Sequence, residues 1–157
     1  SPRLFEVPFV YLTGHQDFEL TAAERSTLRQ YLMRGGILVA EACCGREAFD
    51  RSFRNEIAAV LNGQKLERLP ENHPLFLFPN QCSSVQPLPA LAQKLAVEGR
   101  TKTELYGAQI GASLAVIYSP QGLSCGWELA QCPYCCGLSS QDALALGVNI
   151  LSYAVMH

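Results

Sequence analysis

The chain has no basic cluster: its 12 Lys and Arg stand against 14 Asp and Glu, net −2, with no long run of either sign. That removes the electrostatic footprint that nucleic-acid binding requires. It has no uninterrupted apolar run of the roughly 18–20 residues a membrane span needs, so this segment is expected not to insert into a membrane. No glycine-rich phosphate loop follows the first strand-like run. Thr13-Gly14-His15-Gln16-Asp17 offers a single glycine and an acidic residue, a poor seat for phosphate, which argues against a nucleotide cofactor. There is no internal repeat and no low-complexity stretch. The opening Ser1-Pro2-Arg3-Leu4-Phe5 lacks a basic region followed by an apolar one, so no signal peptide is read there. A strand-like run begins almost at once, and the expectation is a single domain, residues 1–157, cut from a longer chain.

What the chain does have is apolar residues and sulfur. In 157 residues, 48% are apolar and 17% charged, enough for a proper core in one domain and too apolar for a disordered chain. The seven cysteines are Cys43, Cys44, Cys82, Cys125, Cys132, Cys135 and Cys136. An odd count leaves at least one unpaired in an oxidising compartment, and a core of this size does not require disulfides. The compartment therefore stays open.

Phe9-Val10-Tyr11-Leu12-Thr13, ending at Gly14, reads as a buried strand. Thr21 and Glu24 form a capping box for a helix carrying Leu28, Tyr31 and Leu32, which Gly35-Gly36 ends. Ile37-Leu38-Val39-Ala40 reads as a strand covered on both faces. Phe49, Phe53, Ile57, Val60 and Leu61 make one stripe of the next helix, with Glu47–Arg51 and Asp50–Arg54 pairs expected on its outer face. Prolines at positions 70, 74, 79, 87 and 89 suggest mostly loop from about residue 67 to 90. A hairpin over Leu105–Tyr118 is expected to turn at Gly111-Ala112, with Leu114–Ile117 its most buried strand. A Gly, Pro and Cys-rich loop spans Ser119–Leu138. Ser139 or Ser140 then caps a last helix read through Leu144, Val148, Leu151 and Val155. Strand–helix–strand–helix order with short connections predicts an α/β fold with a mainly parallel sheet, plus a C-terminal hairpin and helix.

Several ordered stretches resemble a class I glutamine-amidotransferase-like domain, and within that group a bacterial family of unknown function (domain of unknown function 4159). They are Phe9–His15, Leu20–Glu24 with Leu28–Leu32, Gly35–Ala40, Phe49–Arg54, His73–Phe76, Ala115–Ser119, Gly126-Trp127-Glu128 and Gly147–Leu151, closing at Met156-His157. The resemblance implies a flavodoxin-like three-layer sandwich. It also implies a place in larger bacterial proteins, cytoplasmic or the soluble part of an exported or membrane-tethered one. It implies no activity, and a fold alone does not supply one.

Two constellations could carry chemistry. The first is the strand-to-helix turn Glu41-Ala42-Cys43-Cys44-Gly45. Amidotransferases of the resembled group place a nucleophilic cysteine on such a turn. Here Glu41 stands where they have a glycine, and their C-terminal His-x-Glu pair has no counterpart. A cysteine ahead of a helix N-terminus is expected to have a lowered pKa. His15, at the tip of the neighbouring strand, would be the base, with Asp17 or Glu41 to orient it. The plain alternative is that Cys43 and Cys44 are small, partly buried fillers of the sheet end. The second constellation is Cys125-x6-Cys132-x2-Cys135-Cys136, whose C-x-x-C spacing suits a metal knuckle holding zinc. Adjacent Cys43 and Cys44 look badly placed to grip one ion together, and the plain alternatives for the loop are free thiols or a disulfide. Asp17, Cys44, Trp127 and Glu128 are candidate ligand-binding residues lining a cleft over the strand ends with His15 and Glu41. The leading functional expectation is a non-catalytic module that binds a small ligand, a partner protein or other domains of its parent chain. A cysteine-dependent hydrolase using Cys43 and His15, and a domain with structural zinc, are the alternatives.

Overall fold

The computed structural model describes residues 2–82, 85–100, 102–127 and 136–156. Strand β1 (Phe9–Gly14) leads to helix α1 (Ala22–Met33), then to strand β2 (Ile37–Ala42) and helix α2 (Glu47–Val60). After the two-residue strand β3 (Glu67–Arg68) come helix α3 (Pro89–Val97), strands β4 (Tyr106–Ile110) and β5 (Ser113–Ser119), the short helix α4 (Ser124–Trp127) and helix α5 (Ser140–Met156). The sheet is open and five-stranded, in the order β1-β2-β5-β4-β3. β1, β2 and β5 run parallel, whereas β4 and β3 are joined antiparallel. The α/β class and the hairpin with its following helix are as the sequence suggests, and the sheet as a whole is mixed.

Local signals explain the first half. The Thr21 hydroxyl accepts from the Glu24 amide at 3.2 Å while the Glu24 carboxylate accepts from the Thr21 amide at 2.8 Å, which satisfies two backbone donors that the first turn of α1 would otherwise leave unpaired. Gly35 leaves the helix at φ +92°, a conformation that a side chain would penalise. β2 then runs buried on both faces through all six residues. β1 is an edge strand, as β3 is at the other side, and is only half-buried, which corrects the expectation of a buried strand.

Two apolar layers enclose the sheet. On one face Tyr31 and Leu32 of α1 and Phe49, Phe53, Ile57 and Val60 of α2 pack against Leu38, Ala40, Val116 and Tyr118. Phe53 stacks on Tyr118 with ring centres 4.4 Å apart. On the other face Leu91 and Leu95 of α3 and Leu146, Ile150 and Tyr153 of α5 cover Ile37, Val39, Leu114 and Ile117. Buried Asn149 ties the chain around residues 75–82 to α5: it accepts from the Asn80 amide at 2.9 Å and donates to the carbonyls of Leu75 at 2.9 Å and Asn80 at 2.8 Å.

The differences from expectation have local causes. The 67–90 stretch contains β3, a 3-10 turn at Pro74–Phe76 and the start of α3. Pro89 opens α3 because the first helical position needs no amide hydrogen. Glu47 pairs with Lys94 of α3 at 3.3 Å rather than with Arg51, while Asp50–Arg54 forms as expected at 3.0 Å. Ser139 caps α5, its hydroxyl accepting from the Asp142 amide. The residues through which the helix is read, Leu144, Val148, Leu151 and Val155, are exposed, and Ala143, Leu146, Ile150 and Tyr153 are the buried ones. α5 is apolar around most of its circumference, so periodicity alone could not choose the buried side. Among the described residues no helix is long and apolar enough to cross a membrane.

The neighbours Ile150 and Leu151 test this register, being 2% and 46% exposed. Ile150→Ala is expected to cost about 2–5 kcal/mol, and Leu151→Ala about 1 kcal/mol or less. Urea unfolding of both variants checks it, and equal losses would contradict the register.

Candidate functional site

The parallel pairing of β1 and β2 sets Thr13 opposite Glu41 and Gly14 opposite Ala42. His15 and Cys43 are therefore the first residues beyond two adjacent strand tips, as the sequence reading requires. Such carboxyl-end crevices are where open α/β sheets present their chemistry. Cys43–Gly45 forms a single 3-10 turn, in which Cys44 (φ 54°, ψ 22°) and Gly45 (φ 64°) take left-handed conformations. A left-handed cysteine costs on the order of 1–3 kcal/mol, and such a conformation persists where the surroundings impose it. This turn brings the Cys43 and Cys44 sulfurs to 3.9 Å from each other, where the sequence reading expects such neighbours to be badly placed to grip one ion together. His15, Cys43 and Cys44 each contribute one ligand atom, and these three atoms all lie within 4.8 Å of one another.

The second cysteine set meets the first. The Cys125 sulfur, in α4, lies 3.9 Å from that of Cys44, and Cys136 runs alongside Gly45, its Cβ 3.1 Å from where a Gly45 Cβ would stand. Cys132 and Cys135 of the expected metal knuckle, and Glu128, a candidate ligand-binding residue, lie outside the described residues. Cys82 is buried elsewhere, beside Asn149.

Glu41 explains how α4 reaches this position. Its carboxylate is 0% exposed. One oxygen accepts from the Thr13 hydroxyl at 3.0 Å and from the Ser124 hydroxyl, and the other accepts from the Ser124 amide at 2.9 Å and from the Leu123 amide. A buried carboxylate needs such a set of donors to stay charged. Glu41 thus closes the start of α4 onto the strand tips. It does not orient His15, which is exposed and has no hydrogen bond to hold it among the described residues. Asp17 is likewise exposed and makes no ion pair among them.

The thiol chemistry also departs from expectation. Burial, then the neighbouring Cys125 and Cys44 and the Glu41 carboxylate, push the Cys43 thiol up to about 12. The helix that was to lower it, α2, begins only at Glu47 and is capped by Arg46. Desolvation and nearby negative charge outweigh any pull from that distance. Tyr11 is raised for the same first reason, burial, and then by Glu41.

Trp127 is engaged by α5 and β1. Its indole nitrogen donates to the Ala143 carbonyl at 2.7 Å and its ring lies 5.4 Å from that of Tyr11, so it anchors α4 to α5. Near it Phe9, Tyr11, Val39, Leu144, Val148 and Leu151 line an apolar hollow of about 320 Å³. Thr13 and Ser124, which complete the Glu41 cage, were not singled out in the sequence. Only the Thr13–Glu41 cross-strand register could have pointed to the first, and nothing local points to the second.

One protein-family model, described as a domain of unknown function (DUF4159), matches residues 1–155. No curated protein matches the chain.

Two outcomes follow from Glu41 and Cys43. Glu41→Gln turns an amide toward amide donors and is expected to destabilise the fold by about 3 kcal/mol, read by chemical unfolding; a loss under about 1 kcal/mol would contradict the cage. Near neutral pH, Cys43 of the metal-free protein should alkylate with iodoacetamide more slowly than an exposed peptide thiol. Faster labelling than at the other cysteines would restore the nucleophile reading.

Proposed function

The chain belongs to the DUF4159 family, and we propose that it is a non-enzymatic binding module whose strand-tip cluster holds one soft divalent cation, zinc foremost. Cys43, Cys44 and His15 are the ligands in this reading, and the fourth position is left to the Cys125 thiolate or a water. The observation that carries it is the spacing. A tetrahedral ion bound to sulfur at about 2.3 Å sets its ligand atoms about 3.8 Å apart, and the Cys43–Cys44 and Cys44–Cys125 sulfur pairs are both at 3.9 Å. Thiolates with an imidazole favour zinc over hard cations. A cation there would also relieve the electrostatic crowding that disfavours a Cys43 thiolate, since a coordinated thiol is deprotonated outright.

The hydrolase reading with Cys43 and His15 keeps less support, because burial and the neighbouring thiols push the Cys43 thiol up and the carboxylate meant to orient the base serves α4. An amidotransferase-like ancestry and a flavodoxin-like arrangement belong to the same proposal. The parallel β1-β2-β5 core and the cysteine turn at the tip of β2 support them. A second mode of binding, to a partner protein or other domains of the parent chain, has one supporting feature: the outward Leu144, Val148, Leu151 and Val155 of α5 beside the unpaired edge of β1.

Elemental analysis after dialysis against zinc should find about one ion per chain. Zinc at about 100 times its dissociation constant should stabilise the fold by about 2.7 kcal/mol. His15→Ala and Cys44→Ser should each weaken binding at least about tenfold, whereas Asp17→Asn should not. Cobalt(II) should bind with thiolate charge-transfer absorption. A chain that retains no metal and melts at the same temperature in chelator and in zinc would refute the proposal.

A further inference from the structure

We propose that Cys44 and Cys125 are the oxidation site of this cluster, joined by peroxides into a disulfide that takes a ligand away from the bound ion. The pairing stands on the sulfur geometry, and its consequence for the ion rests on the metal-binding reading above.

The two sulfurs are 3.9 Å apart on segments separated by 81 residues. The backbone around them is already close. A Cβ placed on Gly122 would sit 3.1 Å from the Cys44 amide nitrogen and 3.6 Å from the Cys125 sulfur, so the segment leading into α4 passes directly against the cysteine turn. Bridging then requires the sulfurs to approach from 3.9 Å to about 2.05 Å, a movement within the range of side-chain rotation.

Among the described cysteines the other pairs are less suited. Cys43 and Cys44 are equally close in sulfur distance, but adjacent residues have Cα atoms about 3.8 Å apart, shorter than the roughly 4.4–6.8 Å that an unstrained disulfide spans. Cys136 makes no sulfur contact among the described residues, and Cys82 lies buried beside Asn149, away from the strand tips.

The chemistry balances with a peroxide as oxidant. One sulfur of the pair, as thiolate, attacks a peroxide oxygen; the O–O bond breaks, hydroxide leaves and a sulfenic acid remains. The second sulfur attacks the sulfenic sulfur, the S–S bond forms and water leaves. Two electrons pass from the sulfurs to hydrogen peroxide, and two thiols with one peroxide become one disulfide with two waters. Cys44 belongs to both the disulfide and the ligand set, so the two states exclude each other.

The experiment uses the full chain, one sample metal-free and one zinc-loaded, each given one equivalent of hydrogen peroxide. Peptide mapping without reduction should recover a Cys44–Cys125 disulfide from both. The loaded sample should release about one zinc per chain to a chromogenic chelator and rebind it after dithiothreitol. Cys136→Ser should change neither result. A disulfide from any other pair as the main product, or Cys44 and Cys125 both recovered as thiols, would overturn the assignment. A chain that forms this disulfide but never loads zinc would uphold the pair and refute the metal reading. One that loads zinc but oxidises elsewhere would do the reverse.

Discussion

The buried carboxylate of Glu41 is the constraint on which the arrangement at the strand tips depends. It sits at the penultimate position of β2, the most enclosed strand, where an ionised group without partners would be untenable. Thr13 on the neighbouring strand supplies one donor, and the start of α4 supplies the rest through the Leu123 and Ser124 amides and the Ser124 hydroxyl. Satisfying that charge fixes where residues 123–124 must run. Cys125 is the next residue, and it is delivered to Cys44 from the far side of the sequence. The thiol cluster is therefore a by-product of electrostatic satisfaction in the core as much as of its own chemistry.

The same cage favours the proposed metal binding over catalysis. A cysteine hydrolase needs a thiolate near neutral pH and a base held in place by a third group. Here burial, then the neighbouring thiols and the Glu41 carboxylate, push the Cys43 thiol up, and the acceptor sites of that carboxylate are taken by Thr13 and α4. His15 projects from the end of an edge strand into solvent with nothing described to fix its tautomer. Soft-metal coordination asks for less. It needs sulfur and imidazole within one ligand sphere, and the cation itself supplies the charge that makes the thiols ionise.

The first half of the fold was legible because its signals are local. A capping box three residues wide, a left-handed Gly35 and a continuous apolar β2 each act within one turn or strand, and together they place His15 beside Cys43. α3 was hidden because proline was read as a breaker where Pro89 is a helix opener. α5 was found, but its packed face was not legible, because Leu144, Val148, Leu151 and Val155 are as apolar as the side that packs. The meeting of Cys44 with Cys125 was illegible for a different reason. It depends on an electrostatic contact between Glu41 and a loop more than 80 residues later, and no periodicity or spacing encodes such a pairing.

The most direct measurement is zinc-edge X-ray absorption on the reconstituted chain. The account predicts a first shell with at least two sulfurs at about 2.3 Å and a nitrogen at about 2.0–2.1 Å, with imidazole scattering that disappears in His15→Ala. A shell made only of oxygen and nitrogen, or one of four sulfurs unaffected by that substitution, would contradict it.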